Sequence, residues 1–260
     1  MSQLSEANNM MGRRSFITFA LAGISLISLS GCDAGPTIEF NFRLTVELET
    51  PEGVRTGSSV LKFWGRRRSS NKLDPYADGL GSRYRGEAVA VDLPNGQTLF
   101  ALLNTEGGGD ATRYLFLAFA DEVRREKDIT KGLELLQRLK GQTRSLPRME
   151  MTLPNGGTEV SAYPFMVTFT DIANPTTIKR VDPADLAASF RAGYKLNSIS
   201  VTITDDPMST GLDKRFVWWR RYLDRHFDGS TTASTNLTSD DPTARFSARS
   251  FSTEFRRHNI

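Results

Sequence analysis

The amino-acid sequence predicts an α+β fold of mostly antiparallel strands, with a helical middle section and a C-terminal amphipathic helix. Apolar and polar residues alternate with a period of two near the start of the chain and again after residue 149, which is typical of strands with one buried face. Between these blocks, apolar residues recur every three to four positions, as they do in amphipathic helices. Strands grouped before and after a helical section indicate an α+β architecture.

The strongest strand signal lies at residues 38–49, where six apolar residues from Ile38 to Leu48 alternate with polar ones. Pro51-Glu52-Gly53 predicts the turn that follows this strand. The next elements are inferred from apolar runs and turn-forming residues: a strand at 60–64, a loop at 69–82, and strands at 87–93 and 98–103 joined at Pro94-Asn95-Gly96.

The middle section is predicted to form two helices, at residues 112–126 and 129–140. In the second of these, Leu133, Leu136 and Leu139 recur on one face, and Gly141 follows as a C-terminal cap. The remaining predicted elements are strands at 149–153 and 159–171, a short helix at 182–190, a strand at 197–204 and a helix at 213–227.

The end of the chain has a different composition. From Asp228 onward Ser, Thr, Asp and Arg dominate and phenylalanines are scattered, so residues 228–260 are expected to be mostly disordered. The globular α+β domain is therefore placed at residues 38–227.

The N-terminal region has the organisation of a secretory signal peptide. Arg13 and Arg14 precede eighteen uncharged residues that end at Cys32. The last four, Leu29-Ser30-Gly31-Cys32, resemble the lipobox of bacterial lipoproteins. The resemblance implies that residues 1–31 are removed and that the Cys32 thiol carries diacylglycerol. Residues 32–37 then form the acylated N-terminus and a short spacer.

The run Arg13-Arg14-Ser15-Phe16-Ile17 also resembles the twin-arginine export signal, with Arg13, Arg14 and Phe16 at its defining positions. The resemblance implies that the protein crosses the membrane already folded. Two neighbours depart from that pattern, because Gly12 stands where Ser or Thr is usual and Thr18 where Lys is common. Export through the general secretory pathway therefore stays open, since its signals also begin with positive charge.

Two other interpretations of the N-terminal stretch also remain. Eighteen uncharged residues reach the lower limit for a membrane-spanning helix, although the many Ser, Thr and Gly residues make this stretch weakly apolar. Cys32, the single cysteine of the chain, would alternatively be a buried free thiol. If Cys32 is acylated, no thiol remains for a disulfide, and packing must supply the stability of the domain.

The overall charge is close to neutral. The formal net charge is +3, and residues 1–31 carry Glu6, Arg13 and Arg14, so the remaining 229 residues keep +2. A charge this small gives no indication of a nucleic-acid partner. An apolar fraction of 38% that includes 16 Phe is sufficient for a packed core.

The sequence contains no recognisable catalytic, cofactor-binding or metal-binding pattern. His226 and His258 are the only histidines; neither has the spacing of metal ligands, and both are expected at the surface. Ser-x-x-Lys occurs at Ser59 and Ser69, but in a predicted strand and a predicted loop. The motif needs a helical turn to bring the lysine beside the serine.

Two pairs of nearby carboxylates are candidates for acid–base chemistry. Asp182 and Asp185 frame Pro183, which is the pattern of a helix N-terminus. Asp205 and Asp206 end a strand, where adjacent side chains diverge. Structural roles are therefore preferred for both pairs, although a glycosidase-like pair elsewhere in the fold stays open.

Residues 213–227 combine cations with aromatic side chains. Phe216, Trp219, Leu223 and Phe227 would share one helical face, with Trp218 and Tyr222 at its border. Basic helices with tryptophan can lie in a bilayer interface, but such a helix can equally close a core with its arginines in solvent. The second role is preferred. The candidate membrane-interface residues are Arg215, Trp218, Arg220, Arg221 and Tyr222.

Together these features indicate a membrane-anchored lipoprotein of the cell envelope, with its domain on the periplasmic side. Asp33 after the cysteine resembles an inner-membrane retention signal, which favours the inner membrane. We expect a binding or structural module without a cofactor. Its expected partners are the lipid bilayer, through Cys32, and a second envelope protein, but no nucleic acid. The alternative is a periplasmic hydrolase that uses a carboxylate pair not recognisable from the sequence.

Overall fold

The structure is a computed structural model that describes residues 36–67, 79–106, 109–148, 150–151, 160–161, 163–232 and 239–253. Its strands, in chain order, are β1 (Ile38–Thr50), β2 (Gly53–Arg67), β3 (Leu80–Arg85), β4 (Val89–Asp92), β5 (Thr98–Thr105), β6 (Thr143–Ser145), β7 (Glu150–Met151), β8 (Val160–Ser161), β9 (Pro164–Phe169), β10 (Ile178–Val181) and β11 (Lys195–Thr204).

The helices are short, with four to ten residues each. They are α1 (Thr112–Ala118), α2 (Ala120–Arg125), α3 (Ile129–Arg138), α4 (Leu186–Ser189) and α5 (Pro242–Arg245). Short 3-10 helices cover Pro175–Thr177, Leu212–Arg215, Trp219–Tyr222 and Ala248–Ser250. Antiparallel sheets with helices grouped in the middle of the chain confirm the α+β prediction.

The first sheet has the order β3-β2-β1-β11-β6, and every pairing in it is antiparallel. The predicted alternation along β1 is confirmed, because every apolar residue from Ile38 to Leu48 is buried. A two-residue turn at Pro51 and Glu52 connects β1 to β2, which continues the pairing from Thr50–Gly53 to Ile38–Gly65. The buried side of this sheet faces the main hydrophobic core.

The second sheet has the order β10-β9-β5-β4, and hydrophobic residues pack on both of its faces. One face shares the main core with the first sheet and with α1 and α3. The other face carries a second, largely aromatic cluster. All six residues of β9 are buried, as expected for a strand covered on both sides.

A glycine marks the close approach of the two sheets. A Cβ atom on Gly57 of β2 would lie 2.2 Å from the carbonyl oxygen of Ala90 on β4 and 2.8 Å from Cγ2 of Val91. Real Cβ atoms do not come this close to backbone, so only glycine fits here. Gly57 thus fixes where β2 crosses β4.

The predicted helix at residues 213–227 is wrong as one continuous helix. In its place are two 3-10 helices, Leu212–Arg215 and Trp219–Tyr222. Phe216 and Trp218 are both buried in the second cluster, with their ring centroids 4.6 Å apart. Positions two apart on an α-helix point about 200° apart, so one helix could not pack both rings on the same sheet.

The expectation of a mostly disordered segment after Asp228 does not hold for residues 239–253. Phe246, Ala248 and Phe251 are buried against the second sheet. Backbone hydrogen bonds also connect this segment to the rest of the domain. Phe227 N–H donates to Phe246 O at 3.1 Å, and Ala88 N–H donates to Phe251 O at 2.7 Å. The prediction of disorder from composition was wrong because a few phenylalanines are enough to cover the outer face of the second sheet. We call residues 212–227 and 246–251 the C-terminal layer.

Candidate functional site

A cleft of about 1020 Å³ lies at the edge of the first sheet, along β2 and β3. Its described lining is strongly cationic and contains one carboxylate. The lining residues are Thr37, Trp64, Gly65, Arg66, Gly81, Ser82, Arg83, Tyr84, Arg85, Asp110 and Thr253.

The register of β2 and β3 creates the charge of the cleft. Arg83 lies opposite Trp64, and Arg85 lies opposite Lys62. Residues two apart on a strand share a face, so these side chains and Arg66 all lie on the outer face of the sheet. Cations placed this close repel one another, an arrangement that costs energy unless an anion is present.

Trp64 forms the apolar part of the cleft and is held in place by Glu39. Its Nε1–H donates to Oε2 of Glu39 at 2.8 Å, and Nζ of Lys62 lies 3.2 Å from the same oxygen. The Lys62 ammonium also lies 5.1 Å from the centroid of the Trp64 ring. Glu39 therefore neutralises the charge of Lys62.

The inner side of the cleft is formed by Tyr84 and Asp110. Burial raises the pKa of the Tyr84 phenol, and the nearby charge of Asp110 raises it further, so the phenol remains neutral at physiological pH. The Asp110 carboxylate accepts hydrogen bonds from the N–H and the hydroxyl of Thr112, at 3.0 and 2.5 Å. Thr253 closes one side, where its hydroxyl accepts a 2.9 Å bond from Gly86 N–H.

Arg66 and Arg83 give the cleft its positive charge and its hydrogen-bond donors. Both are exposed, and neither forms an ion pair with any residue in the described ranges. Guanidinium groups present several N–H donors in one plane, which suits the oxygens of a carboxylate or a phosphate. The arrangement can therefore bind an oxyanion, with Trp64 in contact with its apolar part.

Sequence reasoning did not find this cleft. The signals were present in Arg66-Arg67-Arg68 and in Arg83-Tyr84-Arg85. A strand was predicted to end near the first run, but the predicted loop at residues 69–82 covered the first half of β3, and no strand was predicted at residues 83–85. Without the β2–β3 register the two runs could not be brought together.

The N-terminal residues predicted to direct export and acylation lie outside the described residues. They are Arg13, Arg14, Phe16, Leu29, Ser30, Gly31 and Cys32.

The candidate membrane-interface residues are divided between core and surface. Trp218 is buried, and its Nε1–H donates to Ile172 O at 2.8 Å. Tyr222 is half-buried, and its ring is nearly perpendicular to that of Trp218, with the two ring centroids 6.0 Å apart. Arg215, Arg220 and Arg221 are exposed.

Arg215 is paired within the domain. Its two Nη atoms lie 2.6 and 2.9 Å from the carboxylate oxygens of Asp92. The guanidinium of Arg221 lies 5.8 Å from the Tyr222 ring.

His226 is not at the surface, contrary to expectation. It is 7% exposed, and neither ring nitrogen has a hydrogen-bond partner among the described residues. His226 belongs to the C-terminal layer and forms an isolated antiparallel β-bridge with Ser247. His258 lies outside the described residues.

The other sequence candidates have structural partners. Asp185 caps α4 by accepting from Ala188 N–H at 3.1 Å, and Asp182 accepts from Ala184 N–H at 2.8 Å. Asp205 pairs with Lys140, and Asp206 pairs with Arg43. The predicted strand location of Ser59 is confirmed, and its hydroxyl donates to Glu87 O at 2.7 Å. Ser69 lies outside the described residues.

Within the described part of the chain, no group of three or more His, Cys, Asp or Glu residues is arranged to hold a metal ion. No helix among the described residues is long and apolar enough to cross a membrane. Comparisons of the chain with protein-family models, with curated proteins and with solved structures found no match.

Proposed function

We propose that this chain is a lipid-anchored lipoprotein of the cell envelope whose domain binds an anionic ligand in the arginine cleft. The anchor half of the proposal depends on one observation, the run Leu29-Ser30-Gly31-Cys32 at the end of an uncharged stretch. The binding half depends on Arg66, Arg83 and Arg85 lining one cleft.

Acylation at Cys32 would hold the protein firmly at a membrane. Two acyl chains bury on the order of 30 methylenes, and each contributes about 0.8 kcal/mol, whereas a single myristoyl chain binds only marginally. The domain would then remain on the periplasmic side of the membrane, with the inner membrane favoured by Asp33.

The charge of the cleft favours a binding module over the hydrolase alternative. A carboxylate-based glycosidase needs two carboxyl groups on either side of one substrate bond. The described lining holds three arginines and one carboxylate, Asp110, which already accepts two hydrogen bonds from Thr112. Such a lining attracts anions by charge and offers several N–H donors to hold them.

Metabolic labelling with palmitate tests the anchor. The wild-type protein should incorporate the label and fractionate with membranes, and Cys32→Ser should lose both properties. Ser25→Ala, in the same uncharged stretch, is the matched control and should label like wild type. Labelling that persists in Cys32→Ser would contradict the proposal.

Thermal unfolding with inorganic pyrophosphate as the probe tests the cleft. The anion should raise the Tm of the full chain in a concentration-dependent way, because a ligand that binds only the folded state stabilises it. The Arg66→Ala/Arg83→Ala double variant should lose this response. The control pair Arg220→Ala/Arg221→Ala, also exposed, should keep it. An equal response in the wild type and in Arg66→Ala/Arg83→Ala would place the anion elsewhere.

A further inference from the structure

We propose that the arginine cleft faces the bilayer that holds the acylated N-terminus and binds the phosphate groups of anionic phospholipids there. This inference deepens the proposed function and rests on it, because it needs both the lipid anchor and an anion-binding cleft. It names the class of ligand and the direction in which the domain faces.

The length of the tether is the first argument. Thr37 lines the cleft, and five residue steps separate it from Cys32. A fully extended chain covers at most about 3.6 Å per residue, so the acylated residue lies within roughly 18 Å of the cleft. An anchor at Cys32 therefore keeps this part of the domain near the lipid headgroups.

The pairing of the first sheet shows which end of the domain is tethered. Ile38, where β1 begins, pairs with Gly65 near the end of β2. Gly65 itself lines the cleft, between Trp64 and Arg66. The chain thus enters the domain at the strand end that carries the arginines.

The opposite end of the sheet lies too far away to share this position. β1 has 13 residues, and at about 3.3 Å per residue its far end is roughly 40 Å from its start. That end carries Glu47, Glu49 and Glu52. Glu49 lies opposite Lys195, and Glu52 pairs with Arg191. The charges at this end of the sheet are therefore largely balanced within the domain.

Charge at the tethered end is the second argument. The cations of this end, on β2 and β3, outnumber the nearby carboxylates. The cations are Lys62, Arg66, Arg67, Arg83 and Arg85, and the carboxylates are Glu39, Asp110 and Asp128. By sequence, residues 68–78 between these strands add two cations and two carboxylates and leave the balance unchanged. Asp33 in the tether adds one negative charge, and the end remains positive.

Several of these carboxylates are already engaged within the domain. Glu39 accepts from Trp64 and pairs with Lys62. The pKa of Asp128 is lowered, first by hydrogen bonds from the N–H groups of Lys131 and Thr130, and to a smaller degree by Arg67. Arg66 and Arg83, by contrast, have no ion pair with a described residue, and an anionic surface can supply one.

Trp64 is the third argument. It is half-buried at the mouth of the cleft, and its Nε1–H is bonded to Glu39. Tryptophan is enriched at membrane surfaces, where its ring meets apolar material and its N–H remains in a polar environment. A half-buried tryptophan among arginines fits a headgroup region better than it fits a small soluble anion alone.

A labelling experiment on the acylated full chain tests the orientation. Cys32 is the single cysteine, and its thiol is blocked by acylation, so Ser82→Cys introduces one reactive thiol in the cleft. Val54→Cys is the control, because Val54 is exposed at the start of β2, at the end of the first sheet that lies away from the cleft. Each protein carries a fluorophore and is reconstituted in vesicles with nitroxide-headgroup lipid. One set contains phosphatidylcholine only, and the other contains 30% phosphatidylglycerol.

The label at position 82 should be quenched much more strongly in phosphatidylglycerol vesicles, and the label at position 54 should be quenched in neither set. Each cation near an anionic surface contributes about fivefold to its association. Replacing Arg66 and Arg83 by Glu should therefore lower the ratio of docked to undocked domains at least about 30-fold. Arg220→Glu/Arg221→Glu should leave the quenching at position 82 unchanged, and high salt should weaken it.

The same samples separate failure of this inference from failure of the proposed function. An unacylated protein would not float with the phosphatidylcholine vesicles, which would overturn the proposed function. A protein that floats, and is stabilised by pyrophosphate, but shows equal quenching at position 82 in both vesicles would overturn this inference alone. Loss of phosphatidylglycerol-dependent quenching in Arg220→Glu/Arg221→Glu, with no loss in Arg66→Glu/Arg83→Glu, would also overturn it and assign membrane contact to the C-terminal layer.

Discussion

Replacing Phe251 by Ala tests whether the C-terminal layer is an integral part of the fold. Phe251 is fully buried, in a segment whose composition predicts disorder. Its ring lies 5.4 Å from the ring of Phe216, 5.5 Å from that of Phe100 and 5.9 Å from that of Phe169. The ring thus connects the end of the chain to β5, to β9 and to the segment that precedes Trp218.

The structure sets the expected magnitude. Truncation of a fully buried Phe to Ala typically costs about 3–5 kcal/mol, which includes the cavity left behind. The aromatic neighbours raise the expected cost toward the upper part of this range, since each ring pair adds about 0.5–1.5 kcal/mol beyond area burial. A loss of about 4 kcal/mol is a large share of the stability of a typical domain, about 5–15 kcal/mol.

Equilibrium urea unfolding followed by tryptophan fluorescence measures this cost. Two of the three tryptophans, Trp218 and Trp219, lie in the same cluster as Phe251. With a slope of about 2 kcal/mol per molar urea, the midpoint should fall by about 2 M. Val217→Ala, which is 87% exposed in the same layer, is the control and should change stability by less than about 0.5 kcal/mol. A cost below about 1 kcal/mol for Phe251→Ala would refute the packing described here.

Three further predictions concern export, sheet packing and one ion pair. Arg13→Lys/Arg14→Lys keeps the positive charge but removes the paired guanidinium groups, so export should stop on the twin-arginine route; undiminished secretion, measured by fractionation, would indicate the general pathway. Gly57→Ala should destabilise the domain by about 3 kcal/mol or more in urea unfolding, because its Cβ would meet Ala90 O at 2.2 Å; a neutral result would mean that β2 and β4 do not cross there. Hydrogen bonding to Arg215 lowers the pKa of Asp92, so the pair stabilises the fold above the ordinary carboxyl pKa, and this contribution is lost as pH falls through the lowered value. Asp92→Asn should therefore cost at most about 1 kcal/mol at pH 7, because both side chains are largely exposed, and the difference from wild type should vanish in acid; a constant difference at all pH values would exclude the ion pair as its cause.

Local patterns predicted the elements whose causes are local. The alternation of β1 follows from burial of one face, and the hairpin of β4 and β5 follows from Pro94-Asn95-Gly96, where Gly96 has φ 82°. The start of α3 was predicted correctly at residue 129, and the carboxylate of the preceding Asp128 accepts from the N–H groups of Thr130 and Lys131. In each case the residues that determine the element lie within it or directly beside it.

Elements that depend on distant partners were missed. The first part of β2, from Gly53 to Ser58, has little apolar alternation and is a strand because β1 pairs with it along its whole length. β3 contains Gly81 and two arginines, and the edge of β2 determines its position. The cleft depends on this same pairing, so the sequence contained its residues but not their proximity.

The C-terminal layer shows the same limit in another form. A helical period does occur at residues 213–227, but the second sheet exposes an apolar face that needs covering. Burial of Phe216 and Trp218 together stabilises the fold more than a regular helix would. Phe246 and Phe251 pack on that face because burial of their rings also removes apolar surface from water.

Both proposals depend on where the mature chain begins, which the intact mass of the protein isolated from its native membrane measures. We expect a chain that starts at Cys32, lacks residues 1–31 and carries the added mass of a diacylglycerol group. A chain that retains residues 1–31, or one that begins elsewhere without an acyl group, would contradict the lipid anchor and the membrane-facing cleft.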